Sequence, residues 1–203
     1  MAKVKLTKTA LKQERDALKQ YQRFLPTLQL KKQQLQMEMR NCQNQIARNE
    51  EREQAMKESL NSWVVLFGGE NSWEKISQYL SVQAIRTRQM NIAGVEVPVF
   101  LGVDFHLKEY DIFVEDPWLD NAIAAVRDIV SIQLEREIIR EQYRLIAQEL
   151  RITTQRVNLF EKVKIPETKE NIRIINIAIG DADTSAVARS KIAKKKLQET
   201  TAA

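Results

Sequence analysis

Residues 116–160 read DPWLDNAIAAVRDIVSIQLEREIIREQYRLIAQELRITTQRVNLF, and in them Trp118, Ala122, Ala125, Ile129, Ile132, Arg136, Ile139, Tyr143, Ile146, Leu150, Thr153, Val157 and Phe160 alternate by four and three without a slip. That is coiled-coil spacing. The stripe is narrow, so the helix can bury one seam only and must find a partner helix to bury it against. Asp116-Pro117 supplies a capping residue and then a proline at the first helical position, a strong start signal.

The partner lies at the other end of the chain. Leu11, Leu18, Leu25, Met39 and Ile46 fall on one seven-residue grid, and Tyr21, Leu28, Leu35, Cys42 and Met56 on a second. A helix from about Lys8 to Leu60 would be roughly 75–80 Å long, the length of a shaft or an arm. Pro26 removes one helical hydrogen bond and predicts a kink, but the seam resumes in phase at Leu28. A homodimer would show the same stripes. Two matched stripes in one chain, separated by a hairpin-sized middle, favour pairing within the chain.

Between the stripes the pattern changes. Trp63 to Phe67 is an unpatterned apolar run closed by Gly68-Gly69, after which Asn71 or Ser72 can cap a short helix carrying Trp73, Ile76 and Leu80 on one face. From about Ile85 to Leu101 the period becomes two. Val95, Val97, Val99 and Leu101 alternate with Glu96, Pro98 and Phe100 after a turn at Gly94, which predicts a β-hairpin with Pro98 on an edge strand. The predicted fold is mainly α: a long antiparallel two-helix coiled coil around a small middle of short helix and hairpin. Its parts are residues 1–62, 63–115 and 116–203 of one elongated domain.

Pairing Leu60 with Trp118 makes partner numbers sum to about 178, so everything beyond about Ile177 should overhang the N-terminal helix. The overhang contains Gly180 to Ser185, poor helix material with Asp181 and Asp183, and then Arg189, Lys191, Lys194, Lys195 and Lys196. Alone in water it should fray, and it should become a stable helix inside a binding partner.

Composition narrows the function. Only 5 Gly and 4 Pro among 203 residues, with 29% charged, suit long helices, and 6% aromatic residues argue against a large compact core. A net charge of +5 permits an anionic partner without choosing one. The basic tail lacks interleaved aromatics and any nucleic-acid-binding motif, so nucleic acid is not expected as a partner. The N-terminus lacks a signal-peptide core, and no apolar run approaches a membrane span, so any membrane association should be indirect. The single cysteine, Cys42, sits on the seam as a small buried apolar residue.

No catalytic constellation is present in the sequence. His106, the only histidine, has Asp104, Glu109 and Asp111 nearby, which is too few strong ligands for a zinc site. Gly68-Gly69-Glu70-Asn71 lacks the lysine and spacing of a phosphate-binding loop. No cofactor and no enzymatic activity of the chain itself are expected.

At Asn91-Ile92-Ala93-Gly94-Val95-Glu96-Val97-Pro98-Val99-Phe100 the sequence resembles the central segment of the D subunit, the rotor shaft, of the V-type/A-type ATPases. Thr7-Lys8 with Leu11, Leu18, Leu28, Lys31 and Leu35 resembles that family's opening helix. Arg156-Val157-Asn158 with Ile165-Pro166 and Thr168 resembles its closing one. The chain departs from the family at Phe24, where a glycine is usual, and at Ile179-Gly180-Asp181-Ala182-Asp183, where the acidic run is softened.

The resemblance implies a non-catalytic stalk part. It would couple ATP hydrolysis or synthesis in a hexamer of A and B subunits to ion translocation, hydrogen ions among them, by a membrane ring. Both chain ends would point into the hexamer. The middle, with Ile92, Ala93, Gly94, Val95, Val97, Pro98, Val99 and Phe100 in contact with partners, would lie near the F subunit of the stalk and the ring-adaptor subunit. The tail residues Asp181, Asp183, Arg189, Lys191, Lys194, Lys195 and Lys196 would be the second contact. Such a complex places the chain in the cytoplasm, peripheral to the membrane. The alternative is a prefoldin-like chaperone or adaptor arm, which also joins two helices through hairpin structure and grips clients with its tips.

Overall fold

A computed structural model describes residues 5–64, 72–111 and 115–201. The elements are α1 (Lys8–Val64), α2 (Ser72–Tyr79), β1 (Leu80–Ile92), β2 (Val95–Leu107), α3 (Leu119–Leu159), a π-helical turn (Phe160–Lys164) and α4 (Ile165–Thr201). The fold is mainly α, with long N- and C-terminal helices and one two-stranded antiparallel sheet, as the two periodicities require. The apolar run from 65 to 67, the two glycines and Asn71 lie outside the described residues. Contacts divide the chain into two units, one of residues up to Lys31 with those from Thr153, the other of Lys32–Ile152.

In the second unit α1 and α3 pair in opposite directions: Cys42 Sγ lies 3.9 Å from Gln142 Oε1, Gln43 Nε2 3.4 Å from Tyr143 Oη, and Arg52 3.7 Å from Glu135. These contacts correct the expected register, which would have put residues near 136 opposite Cys42. The pairing is displaced by about a heptad, its partner numbers summing to 184–187 rather than about 178. The core holds Leu35, Cys42, Ile139 and Ile146 from the two seams, together with Val97 from the hairpin.

A second cluster, Ile76, Leu119, Ala122 and Ile123, packs α2 against the start of α3. Polar contacts tighten the same place: Lys75 Nζ meets Asp116 Oδ2 at 2.9 Å, and Tyr79 Oη donates to Glu115 Oε1 at 2.8 Å. Hydrogen bonding to those carboxylates, each the largest cause for its partner, raises both the Lys75 and the Tyr79 pKa. The sequence favours Asp116 as the side-chain cap of α3. Its carboxylate goes to Lys75 instead, its backbone carbonyl accepts from the Leu119 N–H at 3.0 Å, and α3 begins three residues later than Asp116.

In the first unit Tyr21 and Phe160 meet with ring centroids 5.2 Å apart, Glu14 accepts from Asn171 at 3.2 Å, and Lys8 reaches Asp183 at 3.9 Å. The helical overhang thus begins beyond Asp183 rather than near Ile177. It also stays helical: α4 runs through Gly180 to Thr201. Thr184 Oγ1 donates to Gly180 O at 2.9 Å within this turn.

α1 passes through Pro26 as an unbroken α-helix. Around Pro166 the chain behaves differently. The buried and half-buried positions Val157, Phe160, Lys164 and Thr168 step by three, four and four, a repeat longer than the heptad. The helix underwinds there: the N–H of Ile165 reaches back to Phe160 O, one residue further than in an α-helix.

Candidate functional site

The hairpin turns at Ala93 and Gly94, whose φ values of 51° and 81° define a two-residue turn of the kind that matches strand twist. Asn91 Oδ1 accepts from the Gly94 N–H at 2.9 Å and helps hold the turn. Packing offsets the left-handed conformation of Ala93, since its methyl lies against the cluster around Leu35 and Val97. The strands pair Ile92 with Val95, Met90 with Val97 and Gln89 with Pro98, with irregularities at Val82/Ala84 and Arg86/Thr87. Gly102 sits at the second irregularity with φ 153°, and a Cβ there would come within 3.1 Å of the Arg86 guanidinium.

Two ties fix β2 alongside α3. Gln142 Nε2 donates to Pro98 O at 2.5 Å, and the Arg127 guanidinium lies over the Phe105 ring at 5.3 Å. The spacing is commensurate: seven strand residues span roughly 23 Å, and the fifteen helical residues from Gln142 to Arg127 span roughly 22 Å. Val97 is 0% exposed, wedged beside the helix seam, while Ile92, Ala93 and Val95 pack against the same cluster. Pro98, Val99 and Phe100 are half-buried and Gly94 is exposed. The strand alternation therefore serves an intramolecular dock first. Gln142 does not stand out in the sequence; it lies beside the seam rather than on it, and only the hairpin's position gives it a task.

Nearby, the seam turns polar. Asn49 and Glu53 continue the two α1 grids and are both 4% exposed. Glu53 accepts from Gln133 Nε2 at 2.9 Å, pairs with Lys57 at 2.7 Å, and binds the Arg136 guanidinium. The hydrogen bonds from Lys57 and Gln133, then Arg136, hold its carboxyl at about 2. A carboxylate at a seam position, matched by one arginine across it, fixes which turns of the two helices face each other.

The predicted tail residues Asp181, Asp183, Arg189, Lys191, Lys194, Lys195 and Lys196 are all exposed on α4. Asp183 pairs with Lys8, so it belongs to the end of the helix pair. Val187, Ile192 and Leu197 are 55%, 58% and 66% exposed. Successive members are five residues apart, so at 100° per residue they point roughly 140° from one another around the helix. Among the described residues no helix is long and apolar enough to cross a membrane, and no group of three or more potential metal ligands occurs.

Comparison with known proteins accords with this layout. The sequence pattern of the ATP synthase D-subunit family matches residues 10–195. The V-type ATP synthase D subunit of Borreliella burgdorferi is 42% identical over 197 residues, covering 97% of this chain and 96% of the relative. The protein of the same name from Chlamydia caviae is 32% identical over 198 residues, covering 98% and 95%. The match takes in both helices and the hairpin between them, and the chain therefore belongs to the family of ATP synthase D subunits.

Proposed function

We propose that this chain transmits torque, with the α4 tail as the end gripped by the catalytic hexamer and the hairpin region as the end that engages the stalk subunits nearer the membrane. Its family makes it a central-stalk subunit of a V/A-type ATPase, and the chaperone-arm alternative is not favoured. The finer reading makes the chain itself non-catalytic. Its partners would be the A and B subunits around the tail, and the F subunit with the ring-adaptor subunit around the middle. Its place would be the cytoplasmic side, held to the membrane only through the complex.

The observation that carries this is the tail. From Gly180 to Gln198 every residue is exposed, and its apolar side chains point in several directions rather than along one seam. A single partner helix could cover one of those directions; a surrounding collar of subunits covers all of them. The basic residues would meet polar or acidic groups of that collar.

Reconstitution of the ATPase with a chain ending at Asp183 tests the reading. The expected result is continued ATP hydrolysis with fewer ions moved per ATP. Coupling equal to that of the intact chain would contradict it.

A further inference from the structure

The two edges of the hairpin have different fates. In a two-residue hairpin the residues flanking the turn, here Ile92 and Val95, form a hydrogen-bonded pair, and the pairs alternate from there. The N–H and C=O groups of Asn91, Gln89 and Thr87 therefore point away from β2, while those of Ile92, Met90 and Arg88 point into the ladder. Pro98 gives an independent check. It lacks an N–H, it sits opposite Gln89 where no ladder bond is needed, and its outward carbonyl accepts from Gln142. At Pro98 the outer edge of β2 is thus met by α3.

The outer edge of β1 is open. Every residue from Ser81 to Asn91 is exposed, including Val82, Ile85 and Met90 at 47%, 41% and 39%. A long exposed edge is a template for another strand. The irregularity at Arg86/Thr87 leaves Thr87 to Ile92 as its regular stretch. Along β1 there are two arginines and no carboxylate. Asp104 holds Arg86 at 3.2 Å, and Arg88 is exposed. A second copy of this chain pairing antiparallel here about Gln89 would set Arg88 opposite Met90 and diagonal to the other copy's Arg88, with no carboxylate beside either, which is unfavourable.

We infer that a neighbouring stalk subunit adds a short extended segment to β1 as a third strand, bonded to the backbone of Thr87, Gln89 and Asn91 and carrying a carboxylate side chain beside Arg88. The inference rests on the stalk reading and names what that region binds.

Gln89→Pro separates edge from hairpin. Its N–H points outward, so proline there leaves the β1–β2 ladder intact but blocks the added strand. Slow hydrogen exchange at Arg88, Met90 and Ile92 reports that the hairpin is still formed. Binding is measured to the ATPase complex stripped of this subunit, with wild type, Gln89→Pro and Arg88→Glu. Both variants are expected to raise Kd roughly tenfold, the arginine variant with a reduced dependence on salt. Wild-type binding with both variants equal to it overturns the third strand and leaves the stalk reading standing. Loss with Gln89→Pro alone overturns the acidic partner. Protection of Thr87, Gln89 and Asn91 that appears in the isolated chain as its concentration rises assigns the edge to a second copy and overturns the inference. A wild-type chain that does not bind the complex at all takes the stalk reading down with it.

Discussion

Glu53 occupies a seam position where the heptad grid calls for an apolar residue, and it is kept ionised there by Lys57, Gln133 and Arg136. Removing Arg136 leaves the carboxylate buried with less compensation, so Arg136→Ala is expected to cost about 3 kcal/mol in chemical denaturation. The acid side gives a second readout. Because the folded carboxyl lies near 2, below its ordinary 4.5, its contribution is full above about pH 4.5 and is lost as pH falls toward 2. Glu53→Gln should flatten that acid limb of the stability profile; an unchanged limb would show that other carboxylates govern it. Val97 is the apolar counterpart. With no exposed surface, Val97→Asp is expected to undock the hairpin, speeding proteolytic cleavage within 80–107 while the helical circular dichroism persists. Residues such as Val97 were legible from alternation alone. Glu53 and Gln142 were not, because a polar residue on or beside a seam reads as a gap until its partner across the seam is known.

At the scale of elements, the two interior prolines should carry different costs. Pro26 lies in an unbroken α-helix, so Pro26→Ala restores a hydrogen bond and should stabilise the protein by up to ~3 kcal/mol. Pro166 follows a π-helical turn at which the seam takes a double step of four. Pro166→Ala is therefore expected to change stability by less than ~1 kcal/mol and to leave the turn in place. Denaturant midpoints of the two variants decide it, and equal gains would mean that the proline ring, not the seam, sets the turn. Both long helices and the hairpin could be read from period and turn chemistry. The register could not, since it depends on how much chain α2 and the hairpin take up between the helices, and the π turn escaped because the heptad stripe reads only as far as Phe160.

For the whole molecule, the exposed tail separates stability from function. Among the described residues a chain ending at Asp183 loses only exposed side chains, so its unfolding free energy should stay within about 0.5 kcal/mol of the intact chain's. A larger drop would place the tail in an intramolecular core. The overhang itself was visible in the sequence from the unequal lengths of the two stripes. Its helical state was not, because the glycine and the turn-forming residues around it argue locally for fraying. Family membership makes the chain a central-stalk subunit, and rotation is what distinguishes a torque-bearing stalk from a static one. The most direct measurement fixes the catalytic hexamer to a surface, attaches a bead to the exposed face of the hairpin at Glu96, and supplies ATP. Sustained rotation in one direction is expected. ATP turnover under a bead that stays still would contradict a torque-bearing role for this chain.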